Sequence, residues 1–206
     1  MRYTGPKNRI SRRENTDLGL KTEGSKSHAS LLKKINILPG QHGMKRRRKM
    51  SERGRQLREK QKLRYMFVLS EKQMKNYFKK AIRSTENTAN VMTQLIEQRL
   101  DNVIYRLGLV ATRNAARQLV SHKHIQVNGK IINIPSYQVR KGDVIQFARE
   151  KTKEIPSVES ALKLKDTQVP QWLQKQNLVG QIVEEPSSEE LEKLINMRLV
   201  IEYYSK

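Results

Sequence analysis

The four histidines, His28, His42, His122 and His124, are the side chains best suited to proton transfer near neutral pH. His122 and His124 stand two positions apart, a spacing that two metal ligands can share, but no acidic residue lies within a few positions of them. A metal site needs three or four ligands at recognisable spacing. Cysteine is absent, which removes thiolate ligands and disulfides and suits a reducing compartment. No P-loop, dinucleotide-binding glycine pattern or nucleophile-elbow motif occurs. Asp101 and Asp143 are explained by helix-surface pairing and turn formation. No catalytic residue, metal or cofactor is expected.

His42 sits between glycines in "PGQHG" (39–43) and is followed by Lys45, Arg46, Arg47, Arg48 and Lys49. Three chemistries are open for this stretch: a catalytic or metal-binding histidine, a solvated or targeting basic run, and a clamp on a phosphate backbone. The chain as a whole favours the clamp. Its 42 Lys and Arg face 20 Asp and Glu, a net charge of +22 with a pI near 10.3. Self-repulsion of that size is usually tolerated where a polyanion neutralises it. Residues 1–92 carry most of it, with 25 Lys and Arg against 7 Asp and Glu, whereas residues 151–206 are balanced.

Further cations lie on periodic segments. Arg58, Lys60 and Lys62 belong to a basic helix at about 51–64. Arg99 and Arg106 line a second helix seven residues apart. Arg113 and Arg117 are one turn apart on a third, with His122, Lys123 and His124 at its exit and Lys130 on a following hairpin. Guanidinium forks match phosphate oxygens, and planar Arg also stacks on bases. The alternative for the Arg cluster is a solvated helix face. Few acids are near enough in sequence to pair with it. Tyr65, Tyr77 and Phe78 are candidates for base stacking, although Tyr77 and Phe78 also fit a core stripe.

The elements that must position these groups are partly legible. Hydrophobic content is 36% and aromatics are 5%, so small modules and segments that order on a partner are expected. Residues 1–44 lack apolar periodicity and read as an extended arm, with a short helix allowed near Ser30–Lys34. Ser70 and Gln73 form a capping-box signature before Met74, Tyr77, Phe78, Ala81 and Ile82, a helical stripe that leaves Lys72, Lys75 and Lys79 outside. A helix is expected over 89–107, ending at Gly108, and another over 113–121 behind the N-cap Thr112. Asn128-Gly129 inside "HIQVNGKII" predicts a tight hairpin. "YQVRKGDVIQFA" (137–148) predicts more strand with a turn at Lys141–Gly142. Pro156 and Pro170 bound an irregular or helical stretch. Ser187 with Glu190 suggests a last capping box, and "LVIEYYSK" (199–206) suggests a closing strand or extended piece. No apolar run approaches the ~20 residues of a membrane span. The first residues lack a secretory signal pattern, and no amphipathic helix suited to a membrane surface adjoins the basic run.

Several stretches resemble a known family from end to end: "RYTGPK" (2–7), "SRRE" (11–14), "PGQHG" (39–43), "LREKQKLR" (57–64), "RLDNVIYRLG" (99–108), "ATRNAARQLVSHKHIQVNGK" (111–130), "IPSYQVRKGD" (134–143) and "VIEYYSK" (200–206). They resemble the bacterial-type small-subunit ribosomal protein four family. The resemblance implies an α+β fold: a helical domain with an inserted RNA-binding module of helices packed on a small antiparallel sheet, preceded by an extended basic N-terminal arm. The implied division is an arm over 1–44, a helical domain over 45–91 completed by 176–206, and an inserted module over 92–175 with its core at about 97–157. It implies a structural constituent of the small subunit that binds a helix junction in the 5′ domain of its rRNA, nucleates assembly of the subunit body and contributes to decoding accuracy. Small-subunit ribosomal protein five and mRNA, where it enters the subunit, are the implied neighbours. The cytosol or an organelle interior is the implied location. Some family members carry four N-terminal zinc-binding cysteines. Asn8 and Ser11 stand where the first two would align, so the arm here must be ordered by RNA and by its own packing.

Three other classes compete. An RNA-modifying enzyme can carry the same small module, but removing about 92–157 leaves no catalytic domain. A stress-related binder of ribosomal subunits would not need the matching arm and C-terminus. A DNA-binding protein would need helix-turn-helix grammar beyond one basic helix.

Overall fold

The structure, a computed structural model, describes residues 3–44, 49–163 and 169–205. Lys45, Arg46, Arg47 and Arg48 therefore lie outside the described residues. The chain divides into two compact units. One comprises Met1–Met92 with Ser188–Lys206, the other Thr93–Ser187.

The described part of the first unit is helical: α1 (Lys7–Glu14), α2 (Lys26–Lys34), α3 (Glu52–Met66), α4 (Glu71–Ile82), the start of α5 (Thr88–Glu97), and, after the second unit, α9 (Glu189–Glu192) and α10 (Met197–Ser205). Local signals start three of these helices, and on α2 the Ser25 hydroxyl accepts the His28 N–H at 3.2 Å. The Ser51 hydroxyl accepts the Gly54 N–H at 3.2 Å, and Ser70 and Gln73 complete a reciprocal capping box at 3.3 and 3.0 Å. Met74, Tyr77, Phe78 and Ala81 are buried on α4, and Lys72, Lys75 and Lys79 are exposed, as the stripe requires. Ile82, expected at its end, is 55% exposed because the helix stops there.

Two expectations for this unit change. Residues 3–44 hold α1 and α2 instead of an extended run. Ile10, Leu18, Leu20 and Leu31 are buried, too sparsely spaced to show a stripe. Long-range bonds do the ordering: Arg12 donates to the Ile37 and Leu38 carbonyls at 2.9 and 3.0 Å, and Asn8 to the Ser27 carbonyl at 2.9 Å. The closing segment is helix rather than strand. Its β-branched and aromatic residues point to strand locally, but docking on α3 wins. Gln56 donates to Glu202 at 3.1 Å, Arg53 to the Tyr203 carbonyl at 3.0 Å, and the Asn196 N–H to Glu59 at 3.1 Å. Ser188, not Ser187, precedes α9, and it makes no side-chain cap bond.

The second unit packs α6 (Leu100–Arg106), α7 (Arg113–Ser121) and α8 (Pro156–Lys163) with a five-stranded antiparallel sheet. Its strands are β1 (Ile125–Val127), β2 (Lys130–Ile131), β3 (Val144–Phe147), β4 (Leu173–Gln176) and β5 (Val179–Ile182), in the order β2-β1-β3-β5-β4. Leu100, Ile104, Leu119, Ile125, Ile145 and Trp172 meet in its core. Asn128 and Gly129 turn the β1–β2 hairpin with φ of 49° and 76°, the doubly positive geometry that Asn-Gly favours.

The helix expected over 89–107 is broken. Arg99 takes an extended conformation because the backbone on either side bonds elsewhere. The Leu100 N–H donates to the Tyr137 carbonyl at 2.9 Å and the Val139 N–H to the Gln98 carbonyl at 3.0 Å. Residues 137–139 spend their bonding there, and residues 140–143 close a turn whose Gly142 N–H donates to the Ile182 carbonyl at 2.9 Å, so strand begins only at Val144. Residues 176–187, expected with the helical domain, fall in the sheet-bearing unit because β5 pairs with β3 and β4.

Candidate nucleic-acid interface

In the sheet-bearing unit, two acids organise four arginines. Asp101 accepts Arg99 Nε at 2.9 Å and Nη2 at 2.6 Å, and Arg117 Nη1 at 3.4 Å. Glu97 accepts Arg106 Nε at 3.2 Å and Nη2 at 2.7 Å, and Asn102 Nδ2 at 2.6 Å. Arg113 Nε donates to Asn102 Oδ1 at 2.8 Å, and its guanidinium lies 4.2 Å from the Tyr105 ring centroid. Burial pushes the Arg113 pKa below its ordinary value, and nearby Arg106 acts in the same direction. The phosphate contact expected of all four arginines is thus corrected for two of them. Arg99 is fully enclosed and Arg113 is buried, so neither presents its guanidinium outward. Arg106 and Arg117 keep only partly open edges, with side chains 19% and 23% exposed. Sequence distance hid only part of the pairing. Asp101 and Arg117 are 16 residues apart and α6 packed on α7 joins them, whereas Asp101 lies two residues from Arg99 and pairs with it because the helix breaks at Arg99.

Solvent-facing cations include those at the exit of α7 and on the hairpin, with Arg140, Lys141, Lys151, Lys153 and Lys163 exposed elsewhere in the unit. The Thr112 hydroxyl accepts the Ala115 N–H at 3.3 Å and sets the helix start, while Ala116, Leu119 and Val120 bury its inner face. His122 and Lys123 are exposed, and Lys123 leaves the helix at φ 62°. His124 is half-buried, with Nδ1 3.2 Å from the Thr152 hydroxyl and its ring 6.4 Å from that of His122. Burial depresses its pKa, and His122 and Arg149 add to the effect. Lys130 is exposed beyond the turn. The turn is locked by Asn128, which donates to Asp143 at 2.8 Å and accepts the Val144 N–H at 2.9 Å. Arg149, exposed and close to His124, was not singled out in the sequence. It is 25 positions away, and β1–β3 pairing brings it near.

In the helical unit, three of the α3 cations, Arg58, Lys60 and Lys62, are internally paired. Arg58 donates to the buried Glu14 at 3.0 Å. Lys60 is buried and donates to Glu71 at 3.0 and 3.2 Å. Lys62 donates to Glu59 at 2.7 Å. Lys60 is therefore corrected from surface contact to enclosed ion pair. His42 and Lys49 are exposed. Gly43 closes the turn before the basic run: a Cβ there would collide with the Leu38 carbonyl oxygen. The unit's solvent-facing cations include Arg53, Arg55, Lys72, Lys75, Lys79 and Lys80. Among the described residues, no group of three metal-ligating side chains converges, and no helix is long and apolar enough to cross a membrane.

Known proteins match both parts of the chain. A family described as the ribosomal protein S4/S9 N-terminal domain matches residues 2–97, and the S4 domain family matches residues 98–145. Curated relatives called small ribosomal subunit protein uS4 align over the whole length. The relative from Aquifex aeolicus is 46% identical over 213 residues, covering 100% of this chain and 99% of the relative. That from Natranaerobius thermophilus is 43% identical over 208 residues, with the same coverage. That from Chromobacterium violaceum is 44% identical over 207 residues, again covering 100% and 99%.

Proposed function

This chain belongs to the uS4 family of small ribosomal subunit proteins, and on that footing we propose that it is a structural constituent of the small subunit that binds its rRNA. The observation that carries this reading is the end-to-end match to uS4 relatives. A net charge of +22 supports it. So does the arrangement of that charge in the sheet-bearing unit, where two acids lock an arginine core and leave cations at the helix exit and hairpin to meet phosphates. In this account His122, Lys123, His124, Lys130 and the open edges of Arg106 and Arg117 form one contact surface. His42, the basic run 45–49 and the open edges of Arg58 and Lys62 contribute from the other unit.

The finer reading is a primary binder at a helix junction of the 5′ domain, which nucleates the subunit body and influences decoding. Its neighbours are small-subunit ribosomal protein five and mRNA where it enters, and its site of action is the ribosome. The account assigns it no catalysis. A test is reconstitution: the full chain is mixed with small-subunit rRNA free of other proteins, and protected nucleotides are mapped. Protection confined to one 5′-domain junction is expected. Scattered protection, or none, would overturn the reading.

A further inference from the structure

Within the helical unit, α3, α4 and α10 enclose an open recess of about 540 Å³ lined by Arg53, Lys60, Arg64, Glu71, Lys75 and the two tyrosines Tyr203 and Tyr204. That volume falls within the roughly 300–1,000 Å³ of small-ligand sites. Four cations and one carboxylate line it. Glu71 is already engaged: it accepts Lys60 and the Tyr204 hydroxyl, the latter at 2.8 Å, and lies 3.9 Å from Arg64. Arg53 also donates to Gln56 and the Tyr203 carbonyl, and Arg64 to Gln61 and the Leu69 carbonyl, but these partners are neutral. The lining keeps an excess of positive charge, and like charges brought together repel unless an anion joins them. The walls are built rather than accidental. The Arg53 guanidinium stands 4.1 Å and Lys60 Nζ 4.7 Å from the Tyr203 ring centroid, and Tyr204 packs on Phe78 at 5.3 Å. Lys75 is exposed on α4 and makes no hydrogen bond or ion pair among the described residues.

We propose that this recess is a phosphate-ester site, in which Arg53, Arg64 and Lys75 hold the phosphate and Tyr203 offers its ring to the attached ribose or base. Charge alone would also attract an acidic protein segment. The tyrosine walls favour a nucleotide unit, since aromatic faces pair with sugars and bases beside cationic phosphate contacts. The proposal deepens the reading of the chain as an rRNA binder and rests on it for one of two ligand sources, the rRNA phosphodiester backbone. The other source is a free nucleotide.

Lysine acylation read by mass spectrometry distinguishes them. The full chain is labelled alone, with small-subunit rRNA and with millimolar adenosine monophosphate, and the rate at Lys75 is compared with those at Lys163 and Lys193. The site predicts that Lys75 slows at least fivefold with rRNA, with the nucleotide or with both, while the reference lysines do not. Slowing with rRNA alone assigns the backbone. Slowing with the monophosphate admits a free nucleotide. In parallel, Lys75→Gln, which leaves the Tyr203 packing intact, should weaken rRNA binding more than the charge-matched Lys163→Gln. Unchanged Lys75 reactivity in both arms, or equal affinity of the two variants for rRNA that the wild type binds, overturns the proposal and leaves an acidic protein segment as the occupant. Failure of the wild type to bind rRNA would instead sink the proposed function, and the nucleotide arm would still read the recess.

Discussion

Asp101 holds Arg99 by two parallel hydrogen bonds, at 2.9 and 2.6 Å, in a place where the Arg99 side chain is wholly shut off from solvent. The pair closes the break between α5 and α6, and the second oxygen of Asp101 also reaches Arg117 on α7. One carboxylate thus sets the helix pair from which the hairpin and its exposed cations project.

Asp101→Asn should accordingly unfold the sheet-bearing unit at lower denaturant. Breaking a buried pair from one side leaves an unmatched charge and costs on the order of 3–5 kcal/mol. Urea unfolding followed by circular dichroism measures this. A loss below about 1 kcal/mol would show that Arg99 finds another partner.

Arg113→Gln and the double variant Lys123→Asn/Lys130→Gln should separate folding from binding. The first removes the bond to Asn102 and the contact with Tyr105. A buried acceptor left unmatched costs roughly 1–3 kcal/mol, so the melting temperature should fall. The second removes two exposed charges, and Asn suits the positive φ at position 123. Its stability should stay within about 0.5 kcal/mol of wild type, while rRNA affinity falls and the salt slope drops by about 2. Thermal melting and filter binding on both variants check the pair.

Gly43→Ala should open the turn at 38–43, because a Cβ would meet the Leu38 carbonyl oxygen, which is backbone and cannot swing aside. Limited trypsin digestion should cleave near Lys49 faster in the variant. Identical cleavage kinetics would mean that the turn relaxes without consequence.

Glu14 and Glu71 should give the helical unit opposite pH responses. Burial raises the Glu14 pKa above its ordinary value despite Arg58. Between the two pKa values the folded form holds a proton that the unfolded chain has lost, so stability from this group falls as pH rises from the ordinary value through the folded one. For Glu71, burial works against the charge, but the hydrogen bonds from Tyr204 and Lys60 and the charge of Arg64 outweigh it and lower the pKa. Its stabilisation is present above the ordinary value and is lost as pH falls through the folded one. Glu14→Gln should then cost little or stabilise at pH 7, and Glu71→Gln should destabilise there and lose that penalty in acid. Melting temperatures from pH 3 to 7 decide it.

Local chemistry made part of the fold legible. The Ser70–Gln73 box, the Thr112 cap and Asn128-Gly129 act within four residues, and each appears where its sequence puts it. Features set by distant partners were not legible. Arg99 breaks a continuous helical stripe because of a bridge to Gln138, and the helix of the closing segment depends on α3. The same limit applied to the candidate interface. Composition announced an excess of cations, but which of them an acid holds inside is decided by packing, as Lys60 with Glu71 and Arg106 with Glu97 show.

The affinity of the full chain for small-subunit rRNA, titrated with salt beside an unrelated RNA of equal length, tests the central claim most directly. Binding through six or more phosphates releases their counterions, so affinity should fall on the order of a thousandfold between about 50 and 200 mM salt. At the upper salt the small-subunit rRNA should still bind at least tenfold more tightly than the unrelated RNA. A flat titration, or equal affinity for both RNAs throughout, would contradict the account.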